Sequence, residues 1–407
     1  MVDLYMLSVI IFFAILGIII YKDRKNIDFK YILFMRRTKK FTNLIDRIAR
    51  ISPSFWKAVG SIAVLVCFVA MAYGMYAIVQ TAYLVYSGVI TQPGLQLALP
   101  IPSSQMAVGP GYIGIPFWFW IITIAIILIP HEAFHGIIAR AHKIRLKNVG
   151  LLLLAIFPGA FVEPDEKQVK KSNLITKLRI FAAGSFINIT IGISIIFLAQ
   201  TLLWTPQING LIITNVNQTS PAGYAGLKEG MVIESINGTS LNIGFFDYAI
   251  LTLNIPGSNS ENVTNVMSSL ILYKTLSKYE PGQTIDLKTS EGNYDIVLAS
   301  HPQFEGFPYI GIGSKLNAKD PSMFLAVFPL LGMMAALSIF VAIFNILPIY
   351  PLDGGLMFQA VCERYAKKKS KSIVKAMMYI ILAILLYGLI GPYLTEAAKL
   401  VASLFAI

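Results

Sequence analysis

Charged side chains are scarce in this sequence. Only 13% of its 407 residues are Asp, Glu, Lys or Arg, whereas 56% are apolar. Soluble globular chains carry roughly 25% charged and roughly 45–50% apolar residues. The scarcity of charge therefore excludes a soluble enzyme, and the aromatic content of 12% excludes a disordered chain.

Cysteine is also rare. The two cysteines are Cys67, in an apolar stretch, and Cys362, in a basic one. A disulfide framework or a thiolate metal cluster needs more cysteines at closer spacing, so neither is expected. Histidine is nearly as sparse, with four in the whole chain. Any metal or acid–base site must therefore draw on very few residues.

Long apolar runs, by contrast, are frequent. Six of them approach or exceed the length of about 18 residues with which a helix crosses a bilayer core. They cover approximately residues 4–21, 55–83, 113–138, 178–204, 323–347 and 373–394. The first run lacks the cleavage pattern of a secretory signal and is expected to persist as an anchor. The sequence predicts a polytopic α-helical membrane protein with about six transmembrane helices.

The net charge of +12 is concentrated in short loops. Segment 22–50 has ten Lys or Arg, segment 139–179 has nine and segment 364–375 has six, whereas loop 84–112 has none. The positive-inside rule then makes the basic loops cytoplasmic and puts both termini and segment 205–320 outside. The charge is an orientation signal in a cell membrane, and no nucleic-acid partner is expected.

Segment 205–320 differs in character from the rest of the chain. It holds ten Asp or Glu against six Lys or Arg and has no run that spans a membrane. Alternating residues predict strands at Leu211–Val216, Met231–Ile236, Thr284–Lys288 and Tyr294–Leu298, with a helix around 263–274 between them. We expect a small α+β domain inserted between membrane helices. The predicted domain boundaries are 1–112, 113–204, 205–320 and 321–407.

A third kind of segment is apolar but short. Gly150 to Val162 reads GLLLLAIFPGAFV, with Pro158-Gly159 towards its end. A helix of this length cannot cross a bilayer. We expect a re-entrant hairpin on the cytoplasmic side, where irregular backbone is tolerated against protein or a wet cavity. The alternative is a buried loop with an apolar surface.

The motif His131-Glu132-Ala133-Phe134-His135 lies at the end of the third apolar run. Residues four apart share one face of a helix, so both imidazoles can reach one metal ion, with Glu132 close to a bound water. Zinc needs such ligands, a third ligand and an open position. A chance HExxH is the alternative, but ionisable groups inside an apolar span are costly and usually functional.

The third ligand is expected from the sequence NILPIYPLDGG after the fifth run. Pro348 and Pro351 keep this stretch from continuing as a helix, so Asp353 lies on a short turn flanked by glycines. Few other carboxylates lie within an apolar stretch. The alternative is that Asp353 only caps the helix that follows.

Together these motifs resemble the site-2 protease family of intramembrane zinc metalloproteases. HEAFH in a span, GAFVEPD after the short apolar segment and NILPIYPLDGG after a later span occur in that family's order. Gly184-Ser-Phe-Ile-Asn188 resembles its GxxxN element. The resemblance implies one Zn2+ ion held by His131, His135 and Asp353.

The same resemblance assigns the remaining site residues. It implies that Glu132 is the catalytic base, that Asn345 binds the substrate backbone and that Asn188 lines the site. The third, fourth and fifth spans would form the catalytic core. The motifs do not fix the role of the first, second and sixth spans.

The inserted domain resembles a PDZ domain of the kind found in that family. Residues 218–238 follow its SPAxxAGLxxGDxIxxING run, with Met231 where Asp is usual. Residues 309–313, YIGIG, are a candidate carboxylate-binding loop, and residues 243–262 look like an insertion beside the groove. A PDZ groove binds an extended peptide as an added strand.

The resemblance implies an intramembrane zinc metalloendopeptidase that acts in regulated intramembrane proteolysis. Its partners would be the lipid bilayer and a transmembrane protein substrate already trimmed outside the membrane. Two alternatives stay open. One is a PDZ-like membrane scaffold with a non-catalytic metal site; the other is a prenyl-protein type of membrane HExxH protease, which takes a glutamate as third ligand.

Overall fold

The computed structural model describes residues 3–31, 33–39, 41–90, 97–104, 106–109, 111–154, 157–204, 208–241, 244–245, 260–304, 306–318 and 327–404. The helices are α1 (Leu4–Asp23), α2 (Thr42–Ile51), α3 (Pro53–Tyr86), α4 (Phe117–Ala141), α5 (Glu166–Lys171), α6 (Leu174–Leu198), α7 (Pro221–Tyr224), α8 (Ser260–Leu276), α9 (Phe328–Ile346), α10 (Asp353–Tyr365) and α11 (Ser370–Leu404).

The strands fall into four sheets. They are β1 (Ile27–Lys30), β2 (Leu33–Thr38), β3 (Leu97–Ile101), β4 (Ala107–Gly109), β5 (Tyr112–Pro116), β6 (Leu146–Leu154), β7 (Phe157–Pro164), β8 (Ile208–Val216), β9 (Val232–Ile236), β10 (Thr239–Ser240), β11 (Thr284–Thr289), β12 (Gly292–Val297), β13 (Ala299–Ser300), β14 (Pro308–Tyr309) and β15 (Ile312–Ala318).

The chain divides into two compact units. The first comprises Met1–Ile193 and Leu337–Ile407, and the second comprises Ser194–Ala336. Within the described residues, six helices are long and apolar enough to cross a membrane. They are the six that the apolar runs predict, and they make the chain a multi-pass membrane protein.

The third of these helices starts later than expected. The sequence predicts a span from about Ile113, but α4 begins at Phe117. Residues Tyr112–Pro116 instead form β5, which pairs in parallel with β3 and antiparallel with β4. Their backbone amides are used in this sheet, so the apolar run is divided between a strand and a helix.

The short apolar segment predicted as a hairpin forms β6 and β7. The two strands pair antiparallel, and β7 runs through Pro158 and Gly159, which lie opposite Leu153 and Leu152. Pro158 and Gly159 therefore do not interrupt the strand. Residues 155–156, between the strands, lie outside the described residues. The depth of this hairpin in a bilayer stays a prediction.

The hairpin belongs to a four-stranded sheet in the order β1-β2-β6-β7. Strands β1 and β2 come from the basic segment 22–50, for which the sequence predicted no secondary structure. The amphipathic helix α2 of the same segment packs against α4, burying Ile45 and Ala49 beside Phe134 and Ile138. This packing holds the sheet next to the helix that carries HEAFH.

The second unit contains a six-stranded sheet whose main path is β12-β11-β9-β8-β15. Its strands overlap all four predicted strands, and α8 contains the predicted helix. The sheet and α8 share an apolar core that includes Met231, Ile233, Met267 and Leu287. Residues 246–259, most of the predicted insertion, lie outside the described residues.

Candidate metal centre

Helix α4 presents the two histidines of HEAFH on one face. His131 is buried, with 5% of its surface exposed, and His135 lies one turn further along the helix. The two Nε2 atoms are 3.3 Å apart. Nδ1 of His135 lies 2.6 Å from the carbonyl oxygen of Ile180 and donates to it. The Nε2 atom of His135 therefore keeps a free lone pair that points at His131.

Asp353 reaches the same point from a different part of the chain. Helix α9 ends at Ile346, and Asp353 is the first residue of α10. A Cβ at Gly354 would lie 1.7 Å from the carbonyl oxygen of Ile346, so only glycine lets the chain pass there. The N-cap of α10 is Leu352, so Asp353 does not occupy the capping position that the sequence offers as its alternative role.

The three side chains have the spacing of metal ligands. One carboxylate oxygen of Asp353 lies 3.3 Å from Nε2 of His131, and the other lies 3.3 Å from Nε2 of His135. Two atoms bound tetrahedrally at about 2.0 Å would be about 3.3 Å apart. Lone pairs that converge in this way repel each other unless a cation lies between them.

A glycine leaves the room for that cation. A Cβ at Gly184 on α6 would lie 2.3 Å from Nε2 of His135 and 2.5 Å from Nε2 of His131. Any side chain there would fill the space that the ligand atoms face. The residues present therefore fit a metal ion, and three of them supply the ligand set that zinc uses in catalytic sites.

Further side chains hold the ligands in place. The hydroxyl of Ser185 donates to Asp353 at 3.0 Å, and the side-chain amide of Asn188 lies 3.0 Å from Nδ1 of His131. The hydroxyl of Ser338 donates to the backbone carbonyl of Asn188 at 2.9 Å. Such outer contacts fix the orientation of ligating groups. Sequence reasoning missed both serines; the position of Ser185 directly after Gly184 was the available signal.

Glu132 lies beside this cluster at the edge of the sheet. Its carboxylate accepts a hydrogen bond from the backbone N–H of Val162 in β7, at 3.1 Å. The structure thereby brings the predicted base next to an edge strand. Its predicted catalytic role stays a prediction.

The two predicted asparagines have different surroundings. Asn188 is buried and contacts the ligand His131, whereas Asn345 is half-buried near the end of α9. Within the described residues, the Asn345 side chain has no hydrogen-bond partner, so its amide is available to another molecule. Substrate binding by either asparagine stays a prediction.

Comparison with known proteins finds a relative that matches over most of the chain. An uncharacterized protein of Methanocaldococcus jannaschii is 25% identical over 372 residues, which cover 90% of this chain and 88% of its own length. Part of the chain is similar to the crystal structure of the PDZ domain of an SdrC-like protein from Listeria monocytogenes. That match has a TM-score of 0.18 and 19% identity over 26% of this chain and 87% of that domain.

The family comparison covers most of the chain and all of the proposed ligands. The sequence model of peptidase family M50 matches residues 119–388, a range that contains His131, Glu132, His135 and Asp353. This protein belongs to peptidase family M50, the site-2 protease family of metallopeptidases.

Proposed function

We propose that this protein is an intramembrane zinc metalloendopeptidase that hydrolyses a peptide bond in or near a transmembrane segment of another membrane protein. The observation that carries the proposal is the convergence of His131, His135 and Asp353 around the space left by Gly184. The third candidate ligand is an aspartate, and it begins helix α10 instead of lying on the short turn that the sequence predicts. The aspartate speaks against the prenyl-protein type, which takes a glutamate.

One zinc ion held by His131, His135 and Asp353 would supply a Lewis acid that activates water and polarises the scissile carbonyl. Glu132 accepts the proton of the attacking water and passes it to the departing amine. Before this proton transfer, the hydrogen bond from the Val162 N–H orients the Glu132 carboxylate. Ser185 holds Asp353 in its ligating orientation.

Strand β7 offers the place where the substrate binds. It is the edge strand of its sheet, so one side of its backbone has no strand partner within the described residues. The N–H of Val162 faces this open side, and so does that of Ala160, two residues earlier. A transmembrane helix has satisfied backbone amides, so it must unwind before cleavage. Pairing with β7 would replace the hydrogen bonds it loses.

The orientation and the second unit complete the proposal. The basic loops face the cytoplasm, and the termini and the acidic segment 205–320 lie on the outer side of the cell membrane. The second unit acts as a PDZ-like domain, with a cavity of about 680 Å³ lined by Tyr273, Phe307 and Tyr309 among others. It excludes substrates whose outer domain has not been removed, so cleavage is a step of regulated intramembrane proteolysis.

The test compares zinc content and cleavage of a synthetic transmembrane segment in liposomes. Glu132→Gln should keep about one zinc per chain and lose roughly 10²–10⁴-fold in rate, the usual contribution of a general base. Asp353→Ala should lose zinc and activity together. Glu166→Gln, an exposed carboxylate on α5, is the control for removing a charge.

The edge-strand step has its own pair of variants. Ala160→Pro removes one backbone N–H from the open side of β7, whereas Ala160→Val keeps it. The proline variant should bind zinc and cleave slowly, and the valine variant should cleave normally. Unchanged turnover by Ala160→Pro would exclude pairing of the substrate with β7. Unchanged turnover by Glu132→Gln would exclude the protease itself, and the PDZ-like membrane scaffold would then be the remaining function.

A further inference from the structure

Two basic residues on different helices are linked through Ser61 at one end of the first unit. Lys57 lies near the start of α3, and Arg179 lies near the start of α6. The guanidinium of Arg179 donates through Nε and Nη2 to the hydroxyl of Ser61, at 3.1 and 2.7 Å. Ser61 lies one turn after Lys57 on the same face of α3, and its hydroxyl is 3.1 Å from the Lys57 carbonyl oxygen.

The two helices pack closely at this point. A Cβ at Gly60 would lie 3.1 Å from Cβ of Arg179, so the stem of Arg179 rests on the surface of α3. Lys57 and Arg179 are each only half-exposed. Their charged groups are therefore held on one patch and are partly withdrawn from water. We call Lys57, Ser61 and Arg179 the interhelical basic cluster.

The positive charge of this cluster has no counter-charge. Within the described part of the chain, neither Lys57 nor Arg179 forms an ion pair. His142, which follows α4 directly, is affected by the same two positive charges. Burial and the charges of Arg179 and Lys57 lower its pKa to about 4. Its Nε2 atom is shielded and has no hydrogen-bond partner within the described residues. Partly buried cations of this kind are costly unless an anion binds.

The position of the cluster identifies the source of the anion. Lys57 and Arg179 lie in the second turns of two membrane-length helices, close to the ends of the spans. Trp56 is adjacent, with its indole N–H bonded to the carbonyl of Ile48 at 2.9 Å. Tryptophan at the end of a membrane helix marks the level of the lipid headgroups. Phosphate is the anion present at that level.

We propose that the interhelical basic cluster binds the phosphate of an anionic lipid headgroup. Ser61 occupies the Nε–Nη2 edge of the Arg179 guanidinium, and the Nη1–Nη2 edge suits phosphate oxygens, whereas Lys57 adds a point charge. Basic pockets between membrane helices bind headgroups in this way. The bound lipid joins α3 to α6, the helix that carries Gly184. This inference concerns lipid binding and does not depend on peptide cleavage.

The test is a lipid titration of the full-length protein in detergent, followed by native mass spectrometry. Phosphatidylglycerol is compared with phosphatidylcholine as the probe. Each basic residue near an anionic headgroup contributes about fivefold in affinity, so the wild type should prefer phosphatidylglycerol by roughly 25-fold. The double variant Lys57→Gln/Arg179→Gln should lose most of this preference, and Arg179→Lys, which keeps the charge but not the planar fork, should keep part of it.

A matched control removes two charges elsewhere, one in basic segment 22–50 and one in basic segment 139–179. Lys39→Gln/Lys167→Gln changes two exposed lysines and should keep the preference. If the double cluster variant does not fold, as judged by its unfolding midpoint, Lys57→Gln alone is used. The side chain of Lys57 has no hydrogen-bond or ion-pair partner within the described residues, and its loss should cost about fivefold.

Three results would overturn the proposal. The first is an unchanged preference in the cluster variants. The second is an equal loss in the control, which would mean that overall charge and not a site attracts the lipid. The third is displacement of phosphatidylglycerol by millimolar inorganic phosphate, which would make the site one for a soluble anion.

Discussion

The six membrane-length helices differ in how much of their apolar surface the protein covers. In the spans that contain α4, α6 and α9, 39% of the most apolar stretch is buried, against 6% for α1, 22% for α3 and 17% for α11. The three covered helices are the ones that carry His131, Gly184 and Asn345. The contrast separates an inner group of helices from an outer one.

Two solvents explain this contrast. Lipid solvates apolar side chains, so an outer helix such as α1 needs few protein partners. Polar side chains within a membrane need partners from the protein. Asn188 and Ser338, both with no exposed surface, have them: the amide of one contacts His131, and the hydroxyl of the other donates to a carbonyl. Burial therefore accompanies the polar residues, and the three inner spans are also less apolar than the three outer ones.

The largest effect is expected where an inner helix faces the metal ligands. Gly184→Ala places a methyl group 2.3–2.5 Å from both Nε2 atoms and should abolish zinc binding. Gly17→Ala, on α1, meets nothing within 4 Å and should leave zinc content unchanged. Zinc per chain, measured on purified protein, checks both. Full zinc occupancy in Gly184→Ala would contradict the prediction that the space beside Gly184 holds the metal ion.

A smaller effect is expected one residue further along α6. Ser185→Ala removes the hydroxyl that holds Asp353 and should weaken zinc binding by about 10–100-fold. Thr190→Ala, on the exposed side of the same helix, removes a hydroxyl bonded only to its own helix. A competition titration with a zinc chelator measures both affinities. Equal affinities would show that Ser185 does not orient the ligand.

The smallest effect compares apolar packing on an inner and an outer helix. Ile127→Val on α4 removes a methylene from a residue with 1% exposure and should lower the free energy of unfolding by about 0.5–1.5 kcal/mol. Ile18→Val on α1, where 56% of the side chain is exposed, should change it by less. Unfolding in mixed micelles measures both. Similar losses at the two positions would mean that α1 is covered by a partner.

Much of the metal centre could be predicted from the sequence, because its signals are local. The four-residue spacing of HEAFH is a property of any helix, and Asp353 stands out as a carboxylate in an apolar stretch beside two prolines. The role of Ser185 was not predictable in this way. Serine is ordinary in a membrane helix, and its partner Asp353 comes from a distant part of the chain.

The sheet beside the site shows the opposite case. Segment 22–50 was recognised for its charge, yet it forms β1 and β2, with Arg36 opposite Leu151 of β6. Strand pairing of this kind depends on a register between segments far apart in sequence. For the same reason the sequence assigns residues 113–116 to a helix, although pairing with β3 makes them part of strand β5.

The sequence by itself determined the membrane-length helices, the strand and helix pattern of segment 205–320 and the candidate metal ligands His131, His135 and Asp353. These depend on hydropathy, charge and short-range spacing, which the covalent chain fixes. Only the tertiary structure decided which helices are inner, that Glu132 meets the edge strand β7, and that Lys57 and Arg179 share one uncompensated patch. Those features arise from contacts between segments far apart in the chain, and no local pattern encodes them.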